Sequence, residues 1–94
     1  MTTFLPSPLL RKMAKYVKRN LLRAARIALD INHEEMAALA GVSRPTLTTI
    51  ERSDANVGTR SIEKVEAALE REGIQFLTES DVFGPGFRLP IIKK

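Results

Sequence analysis

Apolar residues recur every three or four positions along most of the first 72 residues, and this spacing predicts amphipathic helices. The first predicted helix begins at Pro8, with Ser7 as its N-cap, and continues to Leu29. The sequence allows a break at residues 19–20, because Asn is a weak helix former and a good cap. Residues 1–7 have no such period and are expected to form a flexible arm. The apolar stripe of this helix consists of Leu9, Leu10, Met13, Tyr16, Val17 and Leu21.

Two short helices joined by a glycine turn are predicted next. Asn32 is placed to cap the first of them, and Glu35 three residues later gives the spacing of a capping box. Gly41 ends this helix, because glycine adopts positive φ without steric cost. Ser43 caps the following helix, and Pro45 lies in its first turn, where a missing N–H is harmless. Two helices joined in this way are typical of a helix-turn-helix.

The last third of the chain predicts a fourth helix and then a β-hairpin. The helix starts at residue 58 or 59 and ends before Gly73, and its outer face is acidic. After Gly73 the period changes, and residues 74–77 and 87–89 predict two short strands around the turn residues 84–86. The predicted organisation is an N-terminal arm and basic amphipathic helix (1–19), a helix-turn-helix domain (20–72) and a C-terminal β-hairpin tail (73–94).

The charges are distributed unevenly along the chain. The 94 residues carry a net charge of +4. The residues before Asp30 contain seven basic side chains and no acidic one, whereas the remainder contains eight basic and eleven acidic side chains. Such asymmetry indicates that one side of the domain faces a polyanion. A domain of this size is near the lower limit for a self-sufficient core, so dimerisation would stabilise it.

The composition argues against several classes of protein. The chain has no Cys, which removes a disulfide framework, a thiolate nucleophile and a Cys-type zinc site. It has no apolar run long enough to span a membrane and no signal-peptide pattern, so we expect a cytoplasmic protein without a membrane partner. A single His and the lack of a phosphate-binding loop leave little for catalysis. We therefore predict a protein that is not an enzyme, with no catalytic residue, cofactor or metal.

The helix over residues 43–52 carries the side chains suited to reading DNA. Leu47 and Ile50 are three residues apart and face the core, which leaves short polar and basic side chains outside. An arginine can make a bidentate contact with guanine in the major groove, and a threonine offers both a hydroxyl and a methyl group. The helix N-terminus itself favours a phosphate. The outer side chains are Arg44, Pro45, Thr46, Thr48 and Thr49.

Four runs of residues resemble the lambda-repressor/Cro-type (XRE) helix-turn-helix family, over about residues 20–72. The resemblance implies a mainly α fold, a four- to five-helix lambda-repressor-like DNA-binding domain, here with an extra N-terminal helix and a short C-terminal β-hairpin. It also implies double-stranded operator DNA as the partner, a homodimer, and transcriptional regulation. The runs are Leu22-Arg23-Ala24-Ala25-Arg26, Glu34-Glu35-Met36-Ala37, Gly41-Val42-Ser43-Arg44-Pro45-Thr46-Leu47 and Ile50-Glu51-Arg52.

The resemblance also implies roles for individual residues. The positions that face base edges are those of Arg44, Pro45 and Thr49, flanked by Thr48. Phosphate contacts are implied for His33, Ser43 and Thr46. Arg26 and Glu51 match a basic–acidic pair that ties the first helix of the family to the third.

Three departures from the family pattern affect these expectations. His33 stands where the family most often has Gln, so it is either a phosphate donor or an exposed side chain without a role. Pro45 and the threonines provide few bidentate readers, so discrimination would depend on Arg44 and on DNA shape. The usual fifth helix is replaced by the strand-like tail, and a basic helix precedes the domain.

The leading hypothesis is a sequence-specific transcriptional regulator, a repressor or autoregulator, that binds a palindromic operator as a dimer through the helix at 43–52. The alternative is the antitoxin of a toxin–antitoxin pair, which binds a toxin through its terminal segments and regulates its own gene through the helix-turn-helix. A third reading is a domain that keeps this fold and binds only protein. Both ends are rich in apolar residues, and either the N-terminal helix or the C-terminal hairpin could form the dimer interface.

Overall fold

The computed structural model describes residues 17–53 and 56–91. Four helices are followed by a two-stranded antiparallel sheet, which confirms the predicted mainly α fold with a C-terminal hairpin. The predicted arm and the part of the first helix before Val17 lie outside the described residues. The elements are α1 (Val17–Ala28), α2 (His33–Ala40), α3 (Arg44–Arg52), α4 (Thr59–Arg71), β1 (Gln75–Leu77) and β2 (Gly86–Arg88).

Helix α1 is continuous through residues 19–20, so the break that the sequence allowed there does not occur. The asparagine is exposed, and the neighbouring side chains on the inner face pack against the domain, which keeps the segment helical despite its weak propensity. The helix ends at Ala28, and Asp30 then adopts φ +58°, a conformation that Asp tolerates better than most residues.

The caps around the glycine turn follow the sequence prediction closely. The Asn32 side chain accepts a hydrogen bond from the backbone N–H of Glu35 at 2.8 Å, and the Glu35 carboxylate accepts one from the Asn32 N–H at 3.2 Å. This confirms the capping box. Gly41 adopts φ +69°, which allows the turn between α2 and α3. Ser43 then caps α3, and Pro45 lies in its first turn.

The core lies where the four helices meet. All four helices contribute side chains to it, and Ile74 joins them from the residue before β1. Buried alanines on α1, α2 and α4 allow the helices to approach closely. The buried apolar residues are Leu22, Ala25, Met36, Ala37, Ala40, Leu47, Ile50, Val65, Ala68, Leu69 and Ile74.

The hairpin folds back onto this core. Phe76 and Phe87 are directly opposite each other in the register, and their rings meet edge to face at 6.4 Å. Gly73 adopts φ +103°, and a Cβ there would lie 2.7 Å from the ring of Pro90. The second strand spans Gly86–Arg88 rather than 87–89, because pairing starts opposite Leu77 and leaves Leu89 beyond the ladder, half exposed.

No helix in the described ranges 17–53 and 56–91 is both long and apolar enough to cross a membrane.

Candidate nucleic-acid interface

The N-terminal end of α3 is held by its own hydroxyl groups. Ser43 Oγ accepts from the Thr46 backbone N–H at 3.1 Å, and it donates to Thr46 Oγ1 at 2.7 Å. The Thr46 hydroxyl therefore keeps its own proton for an outside acceptor such as a phosphate oxygen. Both side chains lie at the positive end of the helix dipole, which favours a negatively charged partner.

The two threonines further along α3 direct their hydroxyl protons into the helix itself. Thr48 Oγ1 donates to the Arg44 carbonyl at 3.1 Å, and Thr49 Oγ1 donates to the Pro45 carbonyl at 2.9 Å. A threonine hydroxyl has one proton and can still accept through its oxygen. Each side chain can therefore offer an outside partner a methyl group and a hydrogen-bond acceptor, but no hydrogen-bond donor.

Arg44 is the first residue of α3, and it is exposed. Its guanidinium makes no hydrogen bond or ion pair with another described residue. An arginine offers five N–H donors in a fixed fork, so this side chain can make a bidentate contact with a guanine edge or a phosphate.

A buried ion pair fixes α3 against α1. Arg26 Nε and Nη2 donate to the two carboxylate oxygens of Glu51 at 2.7 and 3.0 Å. Arg26 Nη1 also donates to the Ile31 carbonyl at 2.8 Å, in the connection between α1 and α2. Both charged residues are buried, at 8% and 5% exposure. The bidentate geometry satisfies both charges, and a buried pair requires this if it is not to destabilise the fold.

His33 joins the same buried carboxylate. Its Nε2 lies 3.1 Å from Glu51 Oε1, while its side chain remains 38% exposed. His33 is thus not an isolated surface side chain, because Glu51 holds its ring in place at the first residue of α2. The other ring nitrogen, Nδ1, has no partner among the described residues. Because Nε2 donates to the carboxylate, Nδ1 can donate to an outside group such as a phosphate only when the ring carries both protons.

A polar depression of about 640 Å³ lies beside this carboxylate, between α1, α2 and α3. Two arginines line it, Arg23 from α1 and Arg52 from the end of α3, and neither has a partner among the described residues. Neither arginine is among the site residues predicted from sequence. Their positions nevertheless indicated that both would lie near the Arg26–Glu51 pair, because Arg23 precedes Arg26 by one helical turn and Arg52 directly follows Glu51. His33 and Thr48 line the same depression.

A third arginine that the sequence analysis missed caps the far end of α3. Arg19 Nε donates to the Ile50 carbonyl at 2.9 Å, and its Nη2 donates to the Thr49 carbonyl at 2.7 Å. These carbonyls lie in the last turn of the helix, where a cation is favoured. Arg19 precedes Arg26 by seven residues, or two helical turns, so one face of α1 carries both contacts to α3.

The structure therefore brings the predicted residues into three groups, one of which is His33 with the Arg26–Glu51 pair. Arg44, Pro45, Thr48 and Thr49 lie on or near the outer face of α3, and Ser43 and Thr46 lie at its N-terminal end. Among the described residues there is no group of three His, Asp or Glu side chains that could hold a metal ion.

A helix-turn-helix family model matches residues 22–76, more than half of the 94 residues. The chain belongs to the XRE, or lambda-repressor-type, helix-turn-helix family. This family consists of DNA-binding regulators and is not typically enzymatic. The match covers α2, α3, α4 and most of α1, but it leaves out Arg19 and strand β2. A search of curated proteins found no match.

Proposed function

We propose that this XRE-family protein is a transcriptional repressor or autoregulator that binds a palindromic operator as a homodimer through α3. The observation that supports this proposal is the contrast between the outer side of α3, which is open, and its inner side, which other helices hold. Arg44 has no partner among the described residues, whereas Arg19 and the Arg26–Glu51 pair hold the same helix from behind. A rigid helix with an unpaired arginine near its N-terminus suits insertion into the major groove.

Base reading is assigned to Arg44, Pro45, Thr48 and Thr49. Arg44 would supply the bidentate contact to guanine. Thr48 and Thr49 would supply methyl groups for contact with thymine, since their hydroxyl protons are bonded to carbonyls of α3. With a single bidentate reader on this face, DNA shape would supply part of the discrimination.

Phosphate binding is assigned to His33, Ser43 and Thr46, and we add Arg23 and Arg52. The polar depression between α1 and α3 gives the two arginines and His33 a common concave site. Contacts of this kind fix the orientation of the protein on the duplex without specifying sequence. In a symmetric dimer the two copies of α3 would enter successive major grooves, about 34 Å apart or a multiple of that distance. A DNA target implies that the protein acts in the cytoplasm.

The test is fluorescence anisotropy with the DNA upstream of the protein's own gene and a scrambled duplex of equal length. Titrations between roughly 50 and 200 mM salt give the affinity and the number of phosphates that are neutralised. We expect specific binding with a steep negative salt slope. Equal affinity for both duplexes at every salt concentration would refute operator reading.

The variant Arg44→Ala tests the base-reading assignment. We expect it to weaken specific binding by about 1–3 kcal/mol and to relax the preference at one base pair. The matched control is Arg88→Ala, which removes the same charge from an exposed hairpin residue with no described partner. A uniform loss on all sequences would make Arg44 a phosphate contact instead.

A second candidate function is that of an antitoxin. It is supported by apolar side chains on the hairpin and its flanks, where Val82, Phe83 and Ile91 are 78%, 75% and 87% exposed. Deleting the tail would not test this cleanly, because Ile74 and Phe76 pack in or against the core. The variant Val82→Ser/Phe83→Ser changes only the exposed loop. If it stops neutralising a toxin encoded by a neighbouring reading frame, while operator binding is unchanged, the antitoxin role is supported.

A further inference from the structure

An apolar groove of about 320 Å³ lies on the face formed by α1, α4 and the hairpin. Val17 and Leu21 line it from α1, and Phe76, Leu77 and Pro85 line it from the hairpin. Val17 and Leu21 are half-buried, and they belong to the α1 stripe that continues into the core at Leu22. A groove of this composition suits a few apolar side chains presented at helical spacing.

The side of the groove that α4 contributes is acidic. Glu66 and Glu70 lie along it, one turn apart on α4. Glu66 pairs with Lys18 at 2.6 Å, whereas the exposed carboxylate of Glu70 has no partner among the described residues. An occupant with an apolar face and flanking basic residues would therefore match the groove in both polarity and charge.

The sequence of residues 9–16 has this composition. Leu9, Leu10, Met13 and Tyr16 recur every three or four positions, in continuity with Val17 and Leu21. Three basic residues and no acidic one lie among them, at positions 11, 12 and 15. The segment joins the described structure at Val17, on the border of the groove itself.

We propose that residues 9–16 of a second copy of this chain occupy the groove. The sequence has no Gly or Pro between Leu9 and Val17, so nothing in it favours a reversal of the chain onto its own groove. Two copies that exchange this segment form a closed, two-fold symmetric contact, in which each groove receives the partner's segment. The inference names the interface of the homodimer in the proposed function, and it rests on that dimer.

Cysteine cross-linking tests the placement directly, because the natural chain has no Cys. One chain carries Met13→Cys and a second, tagged chain carries Thr78→Cys, at an exposed residue of the groove. After mixing, a short bis-maleimide should give the cross-linked heterodimer. The control is Lys15→Cys in place of Met13→Cys, since helical spacing would turn position 15 away from position 13, so that it should cross-link several-fold less.

Two results would overturn the proposal. Cross-linking only within a single chain that carries both cysteines would show that the segment covers its own groove. An absence of cross-links in both formats would show that the segment does not lie there.

Sedimentation equilibrium gives a second measure. We expect Met13→Asp to raise the dimer Kd by more than about tenfold, and Met13→Leu to leave it nearly unchanged. Glu70→Lys should weaken the dimer by several-fold, whereas Glu63→Lys, an exposed position on α4 outside the groove, should not. Equal effects of the two lysine variants would overturn the assigned contact.

These experiments distinguish a failure of the proposed dimer interface from a failure of the proposed DNA-reading function. If Met13→Asp is monomeric but still prefers an operator half-site over a scrambled duplex, DNA reading stands and the interface is correct. If the cross-link forms but no duplex is preferred, the interface stands and operator reading fails.

Discussion

Replacing Arg19 by methionine tests whether α1 sets the position of α3, the helix proposed to read DNA. The substitution keeps an unbranched apolar stem of similar volume and removes the guanidinium that donates to the Thr49 and Ile50 carbonyls. A hydrogen bond from a charged donor contributes about 1.5–3 kcal/mol when it is well buried. Because Arg19 is only half buried, we expect the two bonds together to contribute about 1–3 kcal/mol to the free energy of unfolding. The variant Arg19→Lys keeps the charge but loses the paired N–H donors of the guanidinium. Relative to Arg19→Met, it should regain only the stabilisation that a cation gives at a helix C-terminus, about 0.3–1 kcal/mol.

Urea unfolding followed by far-ultraviolet circular dichroism gives the global effect, and hydrogen exchange gives the local one. The Ser53 amide, which bonds to the Thr49 carbonyl at 3.2 Å, should exchange faster in Arg19→Met. Operator binding should lose more affinity than binding to a scrambled duplex, since a displaced helix misaligns its base contacts. The matched control is Arg23→Met on the same helix. This variant should leave the free energy of unfolding unchanged and should lower the affinity for both duplexes equally. If Arg19→Met unfolds at the same urea concentration as the natural protein and Ser53 exchange is unchanged, the positioning argument is wrong.

Three further predictions follow from the same structure. Glu51→Gln should lower the free energy of unfolding by about 3–5 kcal/mol, measured by urea unfolding, because it leaves the buried guanidinium of Arg26 uncompensated. Gly73→Ala should be destabilising by about 1–3 kcal/mol in thermal unfolding, since φ is +103° and the new methyl group would overlap Pro90. Arg52→Ala should reduce the slope of log K against log salt by about 1 in anisotropy titrations and leave sequence preference intact, and a change in preference would contradict its role as a phosphate contact.

The local structure around the glycine turn could be predicted from sequence because each signal acts over a few residues. Asn32, Glu35 and Gly41 are within ten positions of one another, and the geometry of each cap depends only on the backbone of the adjacent helical turn. The hairpin was predicted with its second strand one residue too far along. The alternation of side chains fixes which residues face inward, but the pairing partner of each residue depends on how the loop closes.

The three arginines around α3 could not be assigned in the same way. Arg19 contacts carbonyls 30 and 31 residues away, and which face of α1 meets which end of α3 is set by the packing of the whole core. Arg23 and Arg52 come from different helices and converge only after those helices have packed. His33 was expected to contact phosphate or have no role. The structure adds a link to Glu51 that neither alternative contained.

The hydroxyl groups on the outer face of α3 bond only to carbonyls of the same helix, at Thr48 and Thr49. The Arg44 side chain makes no hydrogen bond within the part of the chain that the structure describes. Substitutions at these positions thus remove no link between the described helices, whereas Glu51, three residues after Thr48, holds α1, α2 and α3 together. The surface proposed to read DNA can for this reason be changed without disturbing the packing of the helices. Under the proposed function, new side chains at 44, 48 and 49 would redirect the protein to another DNA sequence at little cost in stability, which makes this small domain a practical scaffold for engineered specificity.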